Sequence, residues 1–380
     1  MNNFIGSIMT IEVTLKYFQQ ETVNAVRKEF KAGISSQLIH LPTGSGKTYI
    51  MAAIAKSFNQ KTLIIAHRKE LIYQAVDKIK HVWPDADIGI CMGDIHDIDH
   101  QVVVGSIQTC SQSKRLQQLK KPGFGVLLID EAHHASSSTY KKLIKKLNFN
   151  SKRKLLVGVT ATPERNDKLG LLDVFQKITY SISIATMIKN DHLSPVMGRK
   201  ILTNTSLIGV KTHNGDFVSS SLSKAVNTPE RNNFITNKFI KHAWDRKAVA
   251  FCADIKHCKN LAAAFVEQGI KAVAVWGNMP PEDRQKALTD FKNGELQLLT
   301  SCGILTEGYD EESISCIIMA RPTKSRSLYI QCVGRGLRKP NNPLSKKIDC
   351  LVLDFTDNHH TISTTMTLKA TIPAAVELRR

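Results

Sequence analysis

The sequence predicts an α/β protein with two tandem domains, each a parallel sheet covered by helices. Short apolar runs alternate with helical segments along the chain. This alternation occurs once in each half, and a polar interval separates the halves. The chain has 380 residues, which is long for a single core and suits two domains of ordinary size.

Each half supplies a set of strand-like runs with helices between them. In the first half, strands are predicted at residues 37–41, 62–66, 102–105, 126–129 and 155–159, and helices at 20–31, 47–58, 69–82 and 140–147. In the second half, strands are predicted at 248–252, 272–275, 296–300, 316–319 and 350–353, and helices at 255–268, 281–292 and 328–334.

The polar interval sets the predicted domain limits. Residues 193–228 are rich in Ser, Thr, Asn and Gly, which indicates a connection carrying a few short strands. We therefore predict a first domain at 11–190, a connection at 191–228, a second domain at 229–358 and a C-terminal tail at 359–380.

The charge balance points to a polyanionic partner. Lys and Arg number 52 against 33 Asp and Glu, a formal net charge of +19. Through residue 190 there are 26 basic and 15 acidic residues, so each half is basic and the charge is not confined to a tail. Such a balance favours nucleic acid, although an ordinary basic protein has the same signature.

Several protein classes find no support in the sequence. The eight cysteines form no C-x-x-C pair and no zinc-like cluster with His, which is typical of reduced thiols. The longest apolar runs are too short to span a bilayer, and residues 1–10 lack the features of a secretion signal. A cytoplasmic protein without a membrane partner is expected.

The strongest motif lies between the first predicted strand and the next helix, where Leu-Pro-Thr-Gly-Ser-Gly-Lys-Thr occupies residues 41–48. Glycines let backbone N–H groups surround phosphate oxygens, and a helix N-terminus adds a favourable dipole. The pattern predicts a nucleotide site in which Lys47 binds the phosphates and Thr48 binds Mg²⁺. The cofactor-binding residues are Thr43, Gly44, Ser45, Gly46, Lys47 and Thr48.

A second motif, Asp130-Glu-Ala-His133, follows the apolar strand at 126–129. Two adjacent acids at the end of a strand, downstream of a phosphate loop, suit metal-assisted ATP hydrolysis. Asp130 would hold Mg²⁺, and Glu131 would orient and deprotonate the attacking water. Taken alone, the same tetrapeptide could simply begin a helix with acids in its first turn.

With these motifs and Gln331-Cys-Val-Gly-Arg-Gly-Leu-Arg338, the chain resembles the superfamily 2 helicases. The stretches 306–310 and 320–325 narrow the resemblance to the RadD-type and restriction-subunit-like DNA-dependent ATPases. It covers residues 11–358 and implies two RecA-like domains. Residues 42–45 replace the usual beginning of the phosphate loop, as in helicases. Some relatives carry zinc-binding or nuclease motifs. None is found in this sequence, which puts autonomous nuclease activity in doubt.

The resemblance implies further nucleotide contacts. Gln19 stands where the family places an adenine-reading glutamine, although a solvated glutamine is the alternative. Gly308 and Asp310 lie in the motif that contacts nucleotide and nucleic acid. Arg335 and Arg338 are three residues apart on one helical face, and the family uses such arginines at the γ-phosphate. Lys47, Asp130, Glu131, Arg335 and Arg338 are therefore the predicted catalytic residues.

The resemblance also implies nucleic-acid contacts of the phosphate type, which position a strand without reading its sequence. The predicted residues are Arg68, Ser106, Gln108, Thr109 and Thr300. Residues 160–163, Thr-Ala-Thr-Pro, resemble the motif that couples the two sites, or they form a turn set by Pro163. The basic helix at 140–147 is interpreted as a solvated lysine face over an apolar stripe, with a membrane or nucleic-acid face as the alternative.

Taken together, the sequence predicts an ATP-dependent helicase or translocase acting on single-stranded, duplex or forked DNA, with ATP and Mg²⁺ as cofactors. RNA, and repair or restriction proteins, are possible partners. An ATP-gated clamp or complex subunit that does not unwind is the alternative. An unrelated P-loop kinase is disfavoured, because it does not need the motifs after residue 300.

Overall fold

The structure, a computed structural model, describes residues 15–66, 69–161, 171–306, 309–340, 342 and 345–356. These residues divide into two compact units. The first contains the described residues up to Ser181 except Leu41–Ser45, and the second contains Leu41–Ser45 and the described residues from Ile182 onward. The predicted 359–380 tail, Arg68 and Gly308 lie outside the described residues. No helix of the described part is long and apolar enough to cross a bilayer.

The first sheet has eight strands in the order β4-β3-β5-β2-β6-β7-β1-β8, and its neighbouring pairs are parallel except β3 with β4. Its strands are β1 (Ser36–His40), β2 (Thr62–Ala66), β3 (Ile88–Met92), β4 (Ile95–His96), β5 (Val102–Ser106), β6 (Val126–Asp130), β7 (Leu155–Thr160) and β8 (Lys177–Ser181).

Helices alternate with these strands. They are α1 (Tyr17–Lys31), α2 (Lys47–Phe58), α3 (Lys69–Val82), α4 (Ile107–Cys110), α5 (Ser113–Gln118) and α6 (Ser138–Lys146), with 3₁₀ turns at Ala132–His134 and Leu171–Asp173. The central strands β2, β5, β6 and β7 are buried along their whole length. This burial matches their continuous apolar sequence, as expected for parallel strands covered on both faces.

The second sheet has six strands in the order β13-β14-β12-β15-β16-β9, and all its pairs are parallel. Its strands are β9 (Val196–Leu202), β12 (Ala248–Phe251), β13 (Ala272–Trp276), β14 (Leu298–Cys302), β15 (Cys316–Met319) and β16 (Cys350–Thr356), while β10 (Thr212–His213) and β11 (Asp216–Phe217) form a separate antiparallel hairpin. The helices are α7 (Ile184–Lys189), α8 (Ser219–Val226), α9 (Pro229–Ala243), α10 (Ile255–Glu267), α11 (Pro281–Asn293) and α12 (Arg326–Gly336).

The interval that the sequence interpretation treats as a connection contributes to the second sheet. Strand β9 pairs with β16 over seven residues, from Val196 to Leu202. Asp216 of the hairpin accepts hydrogen bonds from the Thr323 hydroxyl at 2.9 Å and from the Lys324 backbone at 2.8 Å. The interval therefore supports the loop that leads into α12. The predicted domain limits themselves stay a prediction.

Candidate functional site: the carboxyl edge of the first sheet

The predicted catalytic motifs of the first half converge because of strand direction. Strands β1, β2, β5, β6 and β7 are mutually parallel, so their carboxyl ends lie along one edge of the sheet. In open α/β sheets, ligands bind outside this edge. The glycine loop follows β1, and the acidic motif begins at the last residue of β6.

The glycine loop has the backbone geometry that its sequence predicts. Gly44 and Gly46 have φ values of +86° and +78°, in the left-handed region that favours glycine. Gly46 is the N-cap of α2, so the helix begins at Lys47 and its first N–H groups point out of the loop. A Cβ at Gly46 would lie 2.7 Å from Nε2 of Gln19, so the end of that flexible side chain would have to shift to admit another residue.

The loop side chains differ in exposure. Thr43 and Ser45 are buried, whereas Gly44, Lys47 and Thr48 are half-buried. The free backbone donors at the start of α2 and the partly accessible side chains of its first turn face the same edge of the sheet. This arrangement can bind an anionic ligand.

Lys47 and Glu131 form the central contact of the site. The Nζ atom of Lys47 lies 3.1 Å from Oε1 of Glu131, and both side chains are only about a tenth exposed. The second carboxylate oxygen of Glu131, Oε2, is buried and has no hydrogen bond in the structure. It lies 3.3 Å from Nδ1 of His133. One oxygen is thus paired with the lysine, while the other is oriented but not hydrogen-bonded.

The environment keeps Glu131 ionised. Burial by itself raises its pKa, but the charge of Lys47, together with the neighbouring His133, holds the pKa well below its ordinary value. Glu131 also has a left-handed backbone, with φ +48° and ψ +52°. A non-glycine residue in this region carries strain, which often marks a functional position.

A line of polar groups joins β6 to β7. His133 Nδ1 lies 3.3 Å from Oγ1 of Thr160, the last residue of β7. Asp130 is buried, and its Oδ1 accepts a 2.9 Å hydrogen bond from the Glu131 backbone. Thr160 therefore reaches Glu131 through His133. Thr162 and Pro163 lie outside the described residues.

Gln19 lies beside the glycine loop and has a local structural role as well. Its Oε1 accepts a 3.0 Å hydrogen bond from the Lys16 backbone and so caps the start of α1. Its Nε2 is the atom closest to the Cβ position of Gly46. A buried amide that contacts the loop fits the predicted position next to a bound base better than a solvated glutamine does.

The predicted nucleic-acid contacts fall into two groups. Gln108 is exposed after β5, where it can meet a ligand. Ser106 and Thr109 are buried, with their hydroxyls 2.9 Å apart, and Ser106 caps α4 while Thr109 accepts from the Gly93 backbone. In the second unit, Thr300 is fully buried and donates to the Cys258 carbonyl at 2.8 Å. Donation to a phosphate by the Ser106 or Thr300 hydroxyl would require its present bond to break, whereas the Thr109 hydroxyl only accepts in these contacts.

The two predicted arginines both contact the segment that precedes them in the second unit. Arg335 is buried and donates to the carbonyls of Thr306 at 3.1 Å and Tyr309 at 2.9 Å. Arg338 also donates to the Tyr309 carbonyl, and its Nε lies 3.2 Å from Oδ1 of Asp310. Arg335, Arg338 and Asp310 are thus brought together, but α12 ends at Gly336, so Arg338 lies beyond the helix and the two arginines do not share a helical face as predicted.

Sequence reasoning assigned no role to His133 or Tyr309. His133 connects Glu131 to Thr160, and the Tyr309 carbonyl accepts from both arginines. The position of His133 within the acidic motif could have indicated its role. No sequence signal distinguishes the Tyr309 carbonyl, because every residue carries one.

Comparison with known proteins agrees with this arrangement. Residues 12–165 match the family described as "Type III restriction enzyme, res subunit", and residues 231–340 match "Helicase conserved C-terminal domain". The first match contains the glycine loop and the acidic motif, and the second contains both arginines. The fold class is confirmed by a fragment of a putative HsdR subunit of a type I restriction enzyme from Vibrio vulnificus. Its TM-score is 0.70 at 19% identity, over 90% of this chain and 64% of that chain.

Two yeast proteins are similar over most of this chain. A putative ATP-dependent helicase, IRC3, of Saccharomyces cerevisiae is 33% identical over 90% of this chain and 51% of its own length. A putative mitochondrial ATP-dependent helicase of Schizosaccharomyces pombe is 31% identical over 92% of this chain and 58% of its length. The chain therefore spans little more than half the length of these relatives. With both family matches in order, the chain belongs to the superfamily 2 helicases, in the branch that resembles type III restriction subunits.

Proposed function

We propose that this chain is an ATP-driven nucleic-acid motor, which hydrolyses ATP and uses the energy to move along or remodel DNA. The observation that carries the proposal is the buried Lys47–Glu131 pair beside a left-handed glycine loop. In this proposal Lys47 is the cation that binds phosphate and Glu131 is the carboxylate that activates water, and their side chains lie 3.1 Å apart. The fold and the family support the same reaction.

ATP binding would rearrange this pair. The triphosphate offers Lys47 several anionic oxygens, so the ammonium would turn from Glu131 towards the phosphates. Glu131 would then have two free carboxylate oxygens, of which Oε2 is already without a hydrogen bond. Because its pKa is held low, Glu131 is ionised before ATP arrives. Departure of Lys47 would remove the main influence that lowers this pKa, so the carboxylate would become a better acceptor for a proton of water.

The residues present fit Mg²⁺. Asp130 and Glu131 are both buried carboxylates, and Thr48 presents a half-buried hydroxyl in the first turn of α2. Mg²⁺ usually takes one or two protein carboxylates and relies on substrate phosphates and water for its other ligands. This agrees with the absence of any larger cluster of metal-binding side chains in the described residues. When bound by Thr48 and Asp130, Mg²⁺ would neutralise charge on the transferred phosphoryl group.

The arginines would complete the site when the two domains close. Carbonyls of the 306–310 segment hold both guanidinium groups, and Asp310 lies beside that of Arg338, so a γ-phosphate must compete with those acceptors. An anionic oxygen is a stronger acceptor for a guanidinium than a neutral carbonyl is. Closure driven by this exchange, and opening after hydrolysis, would give the mechanical cycle.

DNA is the proposed substrate class. The net charge of +19 favours a phosphate backbone, and the resemblance to restriction-subunit-like ATPases favours DNA over RNA. Gln108 is the predicted contact residue that the structure leaves exposed on the first unit. Binding through phosphates would be largely indifferent to base sequence.

The deciding experiment measures ATP hydrolysis without nucleic acid and with single-stranded, duplex or forked DNA, or RNA. We expect at least tenfold stimulation by one DNA form, and displacement of a streptavidin block or third strand from that DNA. Contacts with about five phosphates would give a log–log salt slope of roughly −3.5 to −4.5 for binding. Stimulation by RNA alone would overturn the choice of DNA. Hydrolysis without displacement would identify the non-unwinding clamp.

The cellular setting is also a proposal. We expect a cytoplasmic protein that works with repair or restriction partners. One of the yeast relatives is named mitochondrial, so imaging of the tagged protein in its own cells is the direct test. Signal confined to an organelle would contradict the cytoplasmic assignment.

A further inference from the structure

The first unit carries a concentration of positive charge away from the ATP site. Residues 101–160 contain eleven Lys and Arg but only two acids, Asp130 and Glu131. Both acids are buried in the site described above. Nine of the cations, called the lysine ridge here, are Lys120, Lys121, Lys141, Lys142, Lys145, Lys146, Lys152, Arg153 and Lys154. All are exposed except Lys154, which is half-buried.

The ridge lies at the end of the first sheet opposite to the ATP site. Lys120 and Lys121 come shortly before β6, Lys152 to Lys154 come directly before β7, and β6 and β7 are neighbouring parallel strands. These cations therefore lie at the amino edge. The glycine loop and Glu131 lie at the carboxyl edge, separated by strands of five or six residues, about 17–20 Å. The ridge and the ATP site are distinct surfaces.

The centre of the ridge is concave. A cavity of about 250 Å³ is lined by Lys120, Lys146 and Lys154, with Asn148, Phe124 and Leu147 among its other walls. No acidic side chain lines it. Lys154 is held in place by a 2.9 Å bond from its Nζ to the Leu147 carbonyl and lies over the Phe149 ring at 4.9 Å. Burial lowers the pKa of Lys154, so a nearby anion would favour its charged form.

A merely solvated lysine face explains the ridge poorly. Such a face usually mixes charges of both signs, but α6 has no acid, and its pairs Lys141/Lys145 and Lys142/Lys146 are like charges four residues apart. Each pair destabilises a helix by roughly 0.2–0.5 kcal/mol. Among the described residues, Lys141 lies 3.8 Å from Asp173, which is a long ion pair. A bound polyanion would relieve this repulsion.

The chemistry of the surface favours a nucleic-acid backbone over a protein. Protein interfaces usually centre on exposed aromatic or aliphatic anchors. None of the large exposed hydrophobic side chains in the described part of the chain lies within 101–160. The cations instead follow successive turns of α6, about 5.4 Å apart, and continue on both flanking segments. An extended row of phosphates matches this spread, whereas a single small anion would need only the cavity.

We propose that the lysine ridge is a second nucleic-acid-binding surface, which holds the phosphate backbone of DNA away from the ATP-binding edge. Its contacts are independent of ATP and of base sequence. They would keep the protein on DNA while the nucleotide site changes state. Binding to the ridge does not depend on the proposed motor activity, so it can be tested without nucleotide.

The test compares two triple variants with equal loss of charge. The first, Lys142→Gln/Lys145→Gln/Lys146→Gln, removes three ridge cations. The control, Lys241→Gln/Lys286→Gln/Lys292→Gln, removes three exposed lysines from α9 and α11 of the second unit. Fluorescence anisotropy with a duplex of 30 base pairs, without nucleotide and across a range of salt concentrations, gives affinity and salt slope for each.

We expect the ridge variant to bind at least tenfold more weakly at low salt, with a slope smaller in magnitude by about 2.7, as for three lost phosphate contacts. The control should stay within about threefold of the wild type. The triple Lys→Arg variant at the ridge positions should retain affinity, and the Gln variant should melt no lower than the wild type because repulsion on α6 is relieved.

Other results would overturn the proposal. Equal weakening in both triple variants would show that only net charge matters. No weakening in either would remove the ridge from DNA binding. Loss of binding to phosphatidylserine vesicles with unchanged DNA affinity would assign the ridge to a membrane surface. If inorganic phosphate stabilised the wild type against melting but the ridge variant kept its DNA affinity, only the cavity would be an anion site.

Discussion

The two regions that carry the predicted catalytic side chains are built differently. At the carboxyl edge of the first sheet, charged and polar side chains meet one another directly, from Lys47 through Glu131 and His133 to Thr160. In the second unit, Arg335 and Arg338 donate mainly to backbone carbonyls of the 306–310 segment. The first region has its chemical groups assembled, whereas the second holds its arginines mainly on neutral carbonyls, with Asp310 beside Arg338.

This difference suggests a division of labour. A buried lysine–glutamate pair is costly to break, because either partner alone would be a buried charge. An arginine on neutral carbonyls can exchange them for phosphate oxygens, which accept more strongly. The first unit therefore suits binding and water activation, and the second suits a response to the nucleotide state.

The largest expected effect comes from breaking the assembled region. Glu131→Gln removes the proton acceptor but leaves Lys47 available, so turnover should fall by about 10³ or more while ATP stays bound. Lys47→Ala should also abolish turnover, but with ATP affinity at least tenfold weaker, because the phosphate-binding cation is lost. Steady-state hydrolysis and titration with a fluorescent ATP analogue separate the two. Normal turnover in either variant would exclude this site.

The second prediction concerns loss of the two arginines. Arg338→Ala should reduce stimulated turnover by about 10³, as expected for loss of an arginine finger, with ATP affinity within a few-fold of the wild type. Arg335→Ala should behave similarly, with a larger folding cost because Arg335 is more buried. Lysine at either position should not restore the rate, since an ammonium cannot hold two oxygens in a planar fork.

DNA affinity without nucleotide is the control for both arginine variants and should barely change. Circular dichroism melting separates misfolding from loss of catalysis, and Arg335→Lys serves as the milder variant. If both alanine variants hydrolyse ATP at the normal rate, closure of two domains around one phosphate is not part of the mechanism.

The third prediction uses pH to examine the pair that anchors the first region. The pKa of Glu131 lies below its ordinary value, so the pair stabilises the fold above about pH 4.3 and loses this contribution as pH falls. Lys47→Ala leaves a buried carboxylate whose pKa is raised by burial. The variant should be about 3 kcal/mol less stable at pH 7, and the difference should shrink towards pH 4.

Urea unfolding of wild type and variant at several pH values measures this difference. Glu131→Gln provides the matched control, because it removes the titrating group while retaining the lysine. A stability difference between wild type and Lys47→Ala that stays constant from pH 8 to pH 4 would show that the pair does not hold the pKa of Glu131 down.

How well the sequence predicted each region depends on how local the information is. The glycine loop and the acidic motif are contiguous, and parallel strands bring them to one edge, so their position followed from sequence and topology together. Hydroxyl residues were less informative. Ser106, Thr109 and Thr300 follow or end strands as predicted, but their hydroxyls bond to neighbouring protein groups. A hydroxyl can serve a ligand or the fold, and sequence alone does not separate the two.

Prediction of the fold depended in the same way on how local the sequence information is. The central strands were predicted because they are continuous apolar runs, whereas β8 was missed because it is an edge strand with mostly exposed side chains. Helix α9 was also missed, although Thr228, Pro229 and Glu230 form a recognisable helix start. Strand β9 lies in the polar interval, and its pairing with β16 joins residues more than 150 positions apart in sequence. No local pattern contains that information.

The smallest expected effect concerns Asp310, which either holds Arg338 in place or binds the nucleotide. Its carboxylate is 44% exposed and lies 3.2 Å from Nε of Arg338. A partly exposed ion pair contributes about 0.2–1 kcal/mol, so Asp310→Asn should change apparent ATP affinity by no more than about fivefold. If Asp310 holds Arg338 away from the phosphate, affinity should increase, and the increase should diminish at high salt because such pairs are screened. If Asp310 instead binds the nucleotide, as the resemblance implies, affinity should decrease.

The exposed Asp245→Asn change is the matched control for loss of one negative charge. We expect the increase, because the ion pair is already formed in the structure, and a decrease at every salt concentration would contradict that expectation.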